Sequence, residues 1–85
     1  MKTTDLATLN FGNIASHRKQ LGLNQNRFWA LFGATQSGGS HYEKGRGVPK
    51  PLAMLLLLYT SGTITESHLN WATHELQMNP TFKPE

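Results

Sequence analysis

The chain has 85 residues, a formal net charge of +3 and no cysteine. A chain of this length forms one small domain, and without cysteine neither a disulfide framework nor a thiolate zinc site can stabilise it. Its longest apolar run, residues 52–59, is far shorter than the ~20 residues that a membrane span needs, and no signal peptide is expected. We therefore expect a cytoplasmic domain with no membrane partner and no cofactor.

The charge is distributed unevenly along the sequence. Between His17 and Lys50, six lysine and arginine residues are opposed only by Glu43, which gives this segment a charge of +5, whereas the remainder carries −2. A basic segment suits a polyanion such as nucleic acid. Charge alone is equally compatible with a solvated face, so the motifs must decide between the two interpretations.

Apolar side chains recur at three- and four-residue spacing along most of the chain, which is typical of amphipathic helices. The first predicted helix ends at Gly22, because glycine favours the left-handed conformation that often follows a helix. Its inward stripe consists of Phe11, Ile14, Ala15, Arg18 and Leu21. Residues before Asn10 form either a short extra turn or a flexible arm.

The second predicted helix is short and rich in aromatic residues. Asn24 can cap it, because an asparagine side chain accepts a hydrogen bond from a backbone N–H of the first turn. Gly33 ends it. The side chains expected in the core are Phe28, Trp29 and Phe32, with Leu31 as a further apolar position.

The third predicted helix is short and polar, with Thr35 as its cap and Gly45 at its end. A sharp turn through residues 33–35 joins it to the second helix, and a glycine there can adopt positive φ without strain. This arrangement predicts a helix-turn-helix. Glutamine can bind adenine through two hydrogen bonds and serine can bind several base edges, so Gln36 and Ser37 suit a DNA groove.

Two further helices are predicted after a loop. Pro51 fits the first turn of the fourth helix, which runs to about Tyr59. Thr63 and Glu66 have the spacing of a capping box for the fifth helix, which ends near Met78. The residues predicted to face inward on this helix are Ile64, Leu69, Ala72 and Leu76.

Two segments carry a resemblance to a known family. Residues 18–25 read Arg-Lys-Gln-Leu-Gly-Leu-Asn-Gln, and residues 42–46 read Tyr-Glu-Lys-Gly-Arg. Together with Phe28, Gly33, Thr35-Gln36, Ser40 and Pro49, they resemble the Xre family, the lambdoid repressor and Cro-like class of DNA-binding proteins. The resemblance covers roughly residues 11–60. It implies an all-α bundle of about five helices, a lambda-repressor-like fold, double-stranded DNA as partner, homodimeric binding to a two-fold operator and a transcriptional role.

The resemblance also implies a role for individual residues. Those expected to face base edges in the major groove are Gln36, Ser37, Ser40 and His41. Those expected to contact the sugar–phosphate backbone are Gln25, Lys44 and Arg46, with Arg27 and Lys50 as further candidates. Arg18 and Glu43 match a largely buried salt bridge of the family. The sequence departs from the family at Trp29, where a small residue is usual, and at Gly39, where a branched apolar residue is usual, which suggests an exchange of volume between facing positions.

The fourth helix is apolar all round, so a single inner face cannot bury it. We expect part of it to form a homodimer interface, with Met54, Leu57, Leu58 and Trp71 as candidate residues; the alternative is that the last helix of the same chain covers it. The chain then divides into an N-terminal arm (1–10), a helix-turn-helix domain (11–60) and a C-terminal helix and tail (61–85) that serves as a dimer or partner interface.

The function predicted from the sequence is a prokaryotic or phage transcriptional regulator, a repressor in particular. One alternative is an antitoxin or partner-dependent autoregulator, in which the last helix binds a toxin or other protein. Another is a protein-interaction module that has lost DNA binding. An enzyme is not expected, because no catalytic residues can be assigned. A metal site is not expected either, because His68 and His74 lie on different faces of a helix.

Overall fold

The computed structural model describes residues 9–84, which form five α-helices and one short 3-10 helix and contain no strand. The predicted arm therefore lies outside the described residues except for its last two positions. A 3-10 helix, Phe11–Asn13, leads directly into the first α-helix. The α-helices are α1 (Ile14–Gln20), α2 (Gln25–Ala30), α3 (Gln36–Glu43), α4 (Lys50–Thr60) and α5 (Glu66–Met78). The predicted all-α fold is confirmed.

Glycines end the helices where the sequence predicts. Gly33 has φ 76° and Gly45 has φ 109°, values that side chains with a Cβ rarely adopt. At the end of α3, the N–H of Gly45 donates to the carbonyl of Tyr42 and the N–H of Arg46 donates to the carbonyl of His41. This pair of bonds is the Schellman motif, which satisfies carbonyl groups that the helix itself leaves unpaired.

The core is small and mainly aromatic. Its six buried hydrophobic residues are Ile14, Phe28, Trp29, Phe32, Leu56 and Leu69. The rings of Phe28 and Trp29 meet edge to face with centroids 5.1 Å apart, and those of Phe32 and Tyr59 meet the same way at 5.5 Å. Edge-to-face contacts place the positive ring edge on the negative face, so they stabilise the core beyond simple burial. Because α2 and the turn that follows it supply three of these four rings, this segment is central to the core.

Two residues predicted to face inward are exposed, and both predictions were wrong. Leu21 follows the end of α1 and is 43% exposed. The chain turns away there to reach Gly22, so the helical spacing that placed Leu21 inward no longer applies. Leu76 lies in the last turns of α5 and is 47% exposed, because only Leu69 on this helix is buried in the core.

The predicted capping box of α5 was wrong by two residues. The cap is Thr65, whose hydroxyl accepts from the backbone N–H of His68 at 3.4 Å, while His68 Nδ1 accepts from the backbone N–H of Thr65 at 2.9 Å. The hydroxyl of Thr63 instead lies 2.8 Å from that of Ser61. Histidine here takes the place that glutamate or glutamine usually holds in this motif.

Helix α4 buries only one of its leucines completely. Leu56 is fully buried, whereas Met54 is 56% exposed and Leu58 is 40% exposed. The last helix of the same chain therefore does not cover the whole apolar surface of α4. Within residues 9–84, no helix is both long and apolar enough to cross a membrane.

Candidate nucleic-acid interface

Helices α2 and α3 form the predicted helix-turn-helix, and they meet where a glycine faces a tryptophan. Gly39 is buried in the middle of α3, and Trp29 of α2 is fully buried beneath it. A Cβ at Gly39 would overlap Cγ and Cδ1 of Trp29, so only glycine fits there. The two positions therefore face one another, as expected from the sequence, with the large side chain opposite the absent one.

The opposite face of α3 is polar and open. Gln36, Ser37 and His41 are exposed, and Ser40 is half-buried beside them. Ser37 and His41 lie four residues apart and so follow one another along the helix surface. The face carries hydrogen-bond donors and acceptors but no formal charge, which is the chemistry that base edges in a major groove require.

A hydroxyl cap fixes the start of this face. Thr35 Oγ1 accepts from the backbone N–H of Gly38 at 2.9 Å. A Cβ at Gly38 would approach that oxygen to 3.2 Å, closer than most such contacts, so the absent side chain leaves room for the cap. The cap holds the first turn in a helix whose two adjacent glycines weaken it by about 0.8–1.0 kcal/mol each relative to alanine.

Exposed basic side chains lie in the segments that precede and follow α3. Lys44 and Arg46 follow α3 directly and are exposed, as are Lys50 at the start of α4 and Arg27 on α2. The Schellman motif at Gly45 fixes the backbone of Arg46 against the end of α3. Exposed cations near a polar helix face suit phosphate groups on either side of a groove.

A buried ionic cluster ties α3 to the two helices before it. Arg18 of α1 donates from Nε to Glu43 Oε2 at 2.8 Å and from a second nitrogen to Oε1 at 3.1 Å. Arg18 also donates to the carbonyl of Leu23 at 3.0 Å. This two-pronged contact is the geometry in which a guanidinium binds a carboxylate most specifically. The pair implied by the family resemblance is therefore present.

Two more donors complete the shell around Glu43. The indole N–H of Trp29 donates to Oε2 at 2.8 Å, and the side-chain amide of Gln25 donates to Oε1 at 3.1 Å. Burial alone would raise the pKa of the Glu43 carboxyl, but the hydrogen bonds from Arg18, Trp29 and Gln25 outweigh burial and hold that pKa below its ordinary value. Glu43 is therefore ionised at neutral pH.

Comparison with known families assigns the chain to a class. Residues 15–59 match the family model of the RsaL-like HTH domain. That match covers more than half of the chain. The chain belongs to the RsaL-like helix-turn-helix family. Nothing among curated proteins and nothing among solved structures matches it. Membership of this family indicates a DNA-binding regulator that contains a helix-turn-helix.

The matched segment of this RsaL-like domain contains most of the site predicted from the sequence. It runs from α1 to the end of α4 and so includes the whole Glu43 cluster, the open face of α3 and the four basic residues beside it. Gln25 is the predicted phosphate-contacting residue whose surroundings differ most from expectation. Its amide already donates one hydrogen bond to Glu43, although an amide group has a second N–H to offer.

The hydrogen bond from Trp29 to Glu43 in this RsaL-like domain was not predicted from the sequence. Trp29 was predicted to belong to the core on its size, and its ring does so. A tryptophan N–H that is buried needs an acceptor. Trp29 and Glu43 lie on different helices, so only the crossing of α2 and α3 brings them together.

Three of the four candidate dimer residues of this RsaL-like domain share one depression. Met54, Leu57 and Leu58 line a shallow apolar depression on α4, together with Ser61. Trp71 of α5 is 66% exposed. A second depression lies at the end of α5, where Leu76, Phe82 and Pro84 meet the turn at Gly33. The domain thus exposes apolar surface on both of its last two helices.

Proposed function

We propose that the chain is a sequence-specific transcriptional regulator that acts in the cytoplasm of a prokaryote as a repressor. Its mode of binding would be that of the Xre and Cro-like proteins, with α3 in the major groove. One observation carries this proposal: the outer face of α3 is polar and neutral, while Lys44 and Arg46 follow it directly. Repression then results from occupancy of an operator that overlaps a promoter.

Base recognition in this proposal rests on four residues of α3. Gln36 makes paired hydrogen bonds to an adenine edge, and Ser37 and His41 contact the next bases along the groove. Ser40 is half-buried and contributes from the side of the helix. A side chain that reads a base edge affects one sequence more than another, and that property can be measured.

Backbone recognition rests on the basic residues and on one amide. Lys44, Arg46, Lys50 and Arg27 are exposed and contact phosphates, and Gln25 adds the second N–H of its amide. Phosphate contacts orient a protein on DNA and carry no sequence information. Each contact releases counterions, so binding weakens as salt concentration rises.

The proposal includes a homodimer on a palindromic operator. Two half-sites one turn of DNA apart, about 34 Å, multiply the specificity of one small reading helix. Exposed apolar residues support such a contact, namely Met54 and Leu58 on α4 and Trp71 on α5, and Leu57 lies half-buried between the first two. Sedimentation equilibrium with and without operator DNA measures the stoichiometry, and a monomer in both conditions would remove this part of the proposal.

A second candidate function rests on the exposed apolar end of α5. Leu76, Met78 and Phe82 are all exposed there. An antitoxin or partner-dependent autoregulator would use that surface to bind a toxin or another protein while α3 binds DNA. Copurification of one stoichiometric protein with the full chain, lost on exchange of Phe82 for serine, would favour this candidate.

The experiment that tests DNA reading is selection of bound duplexes from a random pool at low and at physiological salt. A palindromic consensus that survives physiological salt is the expected result. Replacing Gln36 by alanine should cost about 1–3 kcal/mol on that duplex and relax the preference at one base pair.

The matched variant is Lys44→Ala. It should weaken binding to all sequences alike and reduce the slope of log affinity against log salt by about one. If Gln36→Ala and Lys44→Ala changed selected and random duplexes identically, the division into base and phosphate contacts would be wrong. Absence of any salt-dependent binding by the wild type would remove the DNA-binding proposal.

A further inference from the structure

The helix that we propose for base reading is a poor helix by itself. α3 has eight residues, and two of them are adjacent glycines. An isolated helix shorter than about 12–15 residues is marginal in water even when it is rich in alanine. Its position and its helicity therefore depend on contacts with the remainder of the domain.

Those contacts fall at three points along α3. The Thr35 hydroxyl caps the first turn. Gly39 rests on the indole of Trp29 in the middle. Glu43 is held at the end by donors from α1 and α2. Among the donors to Glu43, Trp29 is the residue that also contacts the middle of α3, at Gly39.

The side chain of Trp29 is fixed on every side. It is 0% exposed, and its ring lies 5.1 Å from that of Phe28, 6.4 Å from that of Phe32 and 5.5 Å from that of Tyr42. Tyr42 belongs to α3 itself. The indole thus contacts α3 through two neighbouring turns while the remainder of its ring is fixed in the core.

We propose that Trp29 is the positioning residue of α3. Its ring sets the distance between α2 and α3 at Gly39, and its N–H sets the rotation of α3 through Glu43. The inference rests on the proposed role of α3 in reading bases. A site that makes directional contacts must be held within about 0.5 Å, so loss of this support should affect base reading more than phosphate binding.

The variant Trp29→Phe tests both parts together, because it removes the N–H and leaves a smaller ring against Gly39. Phenylalanine keeps an aromatic ring and removes the N–H, and Arg18 and Gln25 still hold Glu43. Affinity is measured for the duplex selected by the wild type and for a random duplex at the same salt. We expect the ratio of the two affinities to fall by about five- to tenfold, while random-duplex affinity stays within about twofold.

The matched control is Leu69→Ala. Leu69 is buried in α5, is not one of the hydrogen-bond donors around Glu43 and belongs to no part of the proposed DNA surface. It should lower the unfolding temperature and leave the affinity ratio unchanged. Equal ratios in Trp29→Phe and the wild type would overturn the proposal, as would an equal fall in Leu69→Ala.

A measurement without DNA separates this inference from the proposed function. Hydrogen exchange of the α3 backbone amides should accelerate by about tenfold in Trp29→Phe, while α5 amides exchange as in the wild type. Gly39→Ala pushes on the indole from the other side and should accelerate α3 exchange as well. If the wild type selected no duplex, the proposed function would fail. Unchanged α3 exchange in both variants would overturn the positioning role independently.

Discussion

The first three helices and the last two differ in what their side chains contact. In α1–α3, a charged pair is buried and every partner around it is within the chain. In α4 and α5, apolar side chains such as Met54 and Trp71 remain exposed. Polar groups are costly to bury without partners, so the first part must be complete in a single copy. Exposed apolar side chains that lie together are typical of a contact with another molecule.

The difference teaches where the chain tolerates change. A substitution in the Glu43 cluster leaves a buried polar group unpaired, so its effect appears in the stability of the single chain. A substitution on the exposed side of α4 leaves that stability nearly unchanged and affects association instead.

The largest expected effect follows from the replacement of Arg18 by alanine. The side chains of Arg18 and Glu43 are 11% and 6% exposed, so the loss of Arg18 leaves a buried carboxylate without its cation. We expect the free energy of unfolding to fall by about 3–5 kcal/mol. Urea unfolding measures it, with Lys19→Ala on the exposed side of α1 as control. A loss under about 1 kcal/mol would show that the first three helices do not depend on this cluster.

The next effect compares two leucines of α4. Leu56 is fully buried and Leu58 is exposed. Leu56→Ala should cost about 2–5 kcal/mol, because it leaves a cavity in the core. Leu58→Ala should cost no more than about 0.5 kcal/mol in dilute solution. Equal losses by urea unfolding at low protein concentration would contradict the comparison, since they would mean that both faces of α4 are covered within one chain.

A smaller effect tests the start of α5. Thr65→Ala removes the hydroxyl that caps the helix and should cost about 1 kcal/mol of stability. Thr63→Ala changes the same residue type two positions earlier and should cost less than about 0.5 kcal/mol. Thermal unfolding distinguishes them, and a larger loss for Thr63→Ala would restore the capping box expected from the sequence.

The smallest effect is a dependence of stability on pH that comes from Glu43. Its pKa is lowered in the folded state, so the unfolded chain binds more protons and stability falls as pH falls. The contribution is complete above the ordinary glutamate pKa of about 4.3 and is lost in more acidic solution. The unfolding midpoints of the wild type and of Glu43→Gln should approach one another as the pH is lowered from neutral to acid. The exposed Glu75→Gln should instead run parallel to the wild type.

Most of the helix boundaries could be predicted because local residues determine them. Gly22, Gly33 and Gly45 end helices through their own backbone conformation, and Asn24 and Thr35 begin them through side-chain caps. These effects depend on a few neighbouring residues, so the sequence carries them fully. The exposure of the candidate DNA surface could also be predicted, because the outward side of a short capped helix follows from helical spacing.

The predictions that were wrong or incomplete concern places where two local patterns compete or where helices distant in sequence meet. Thr63 with Glu66 and Thr65 with His68 have the same spacing, so spacing alone does not distinguish the two caps. The inward position of Leu76 depends on how far α5 extends past the core. The hydrogen bond from Trp29 to Glu43 depends on the crossing of two helices, which no local pattern specifies.

The contact between Trp29 and Gly39 also constrains how the sequence can evolve. No residue with a Cβ fits at position 39 while Trp29 is present, so this position cannot change first. A smaller residue at position 29 removes the obstacle but leaves a cavity until position 39 gains a side chain. The two positions are therefore epistatic, and lineages that hold this pair should retain or exchange both residues together.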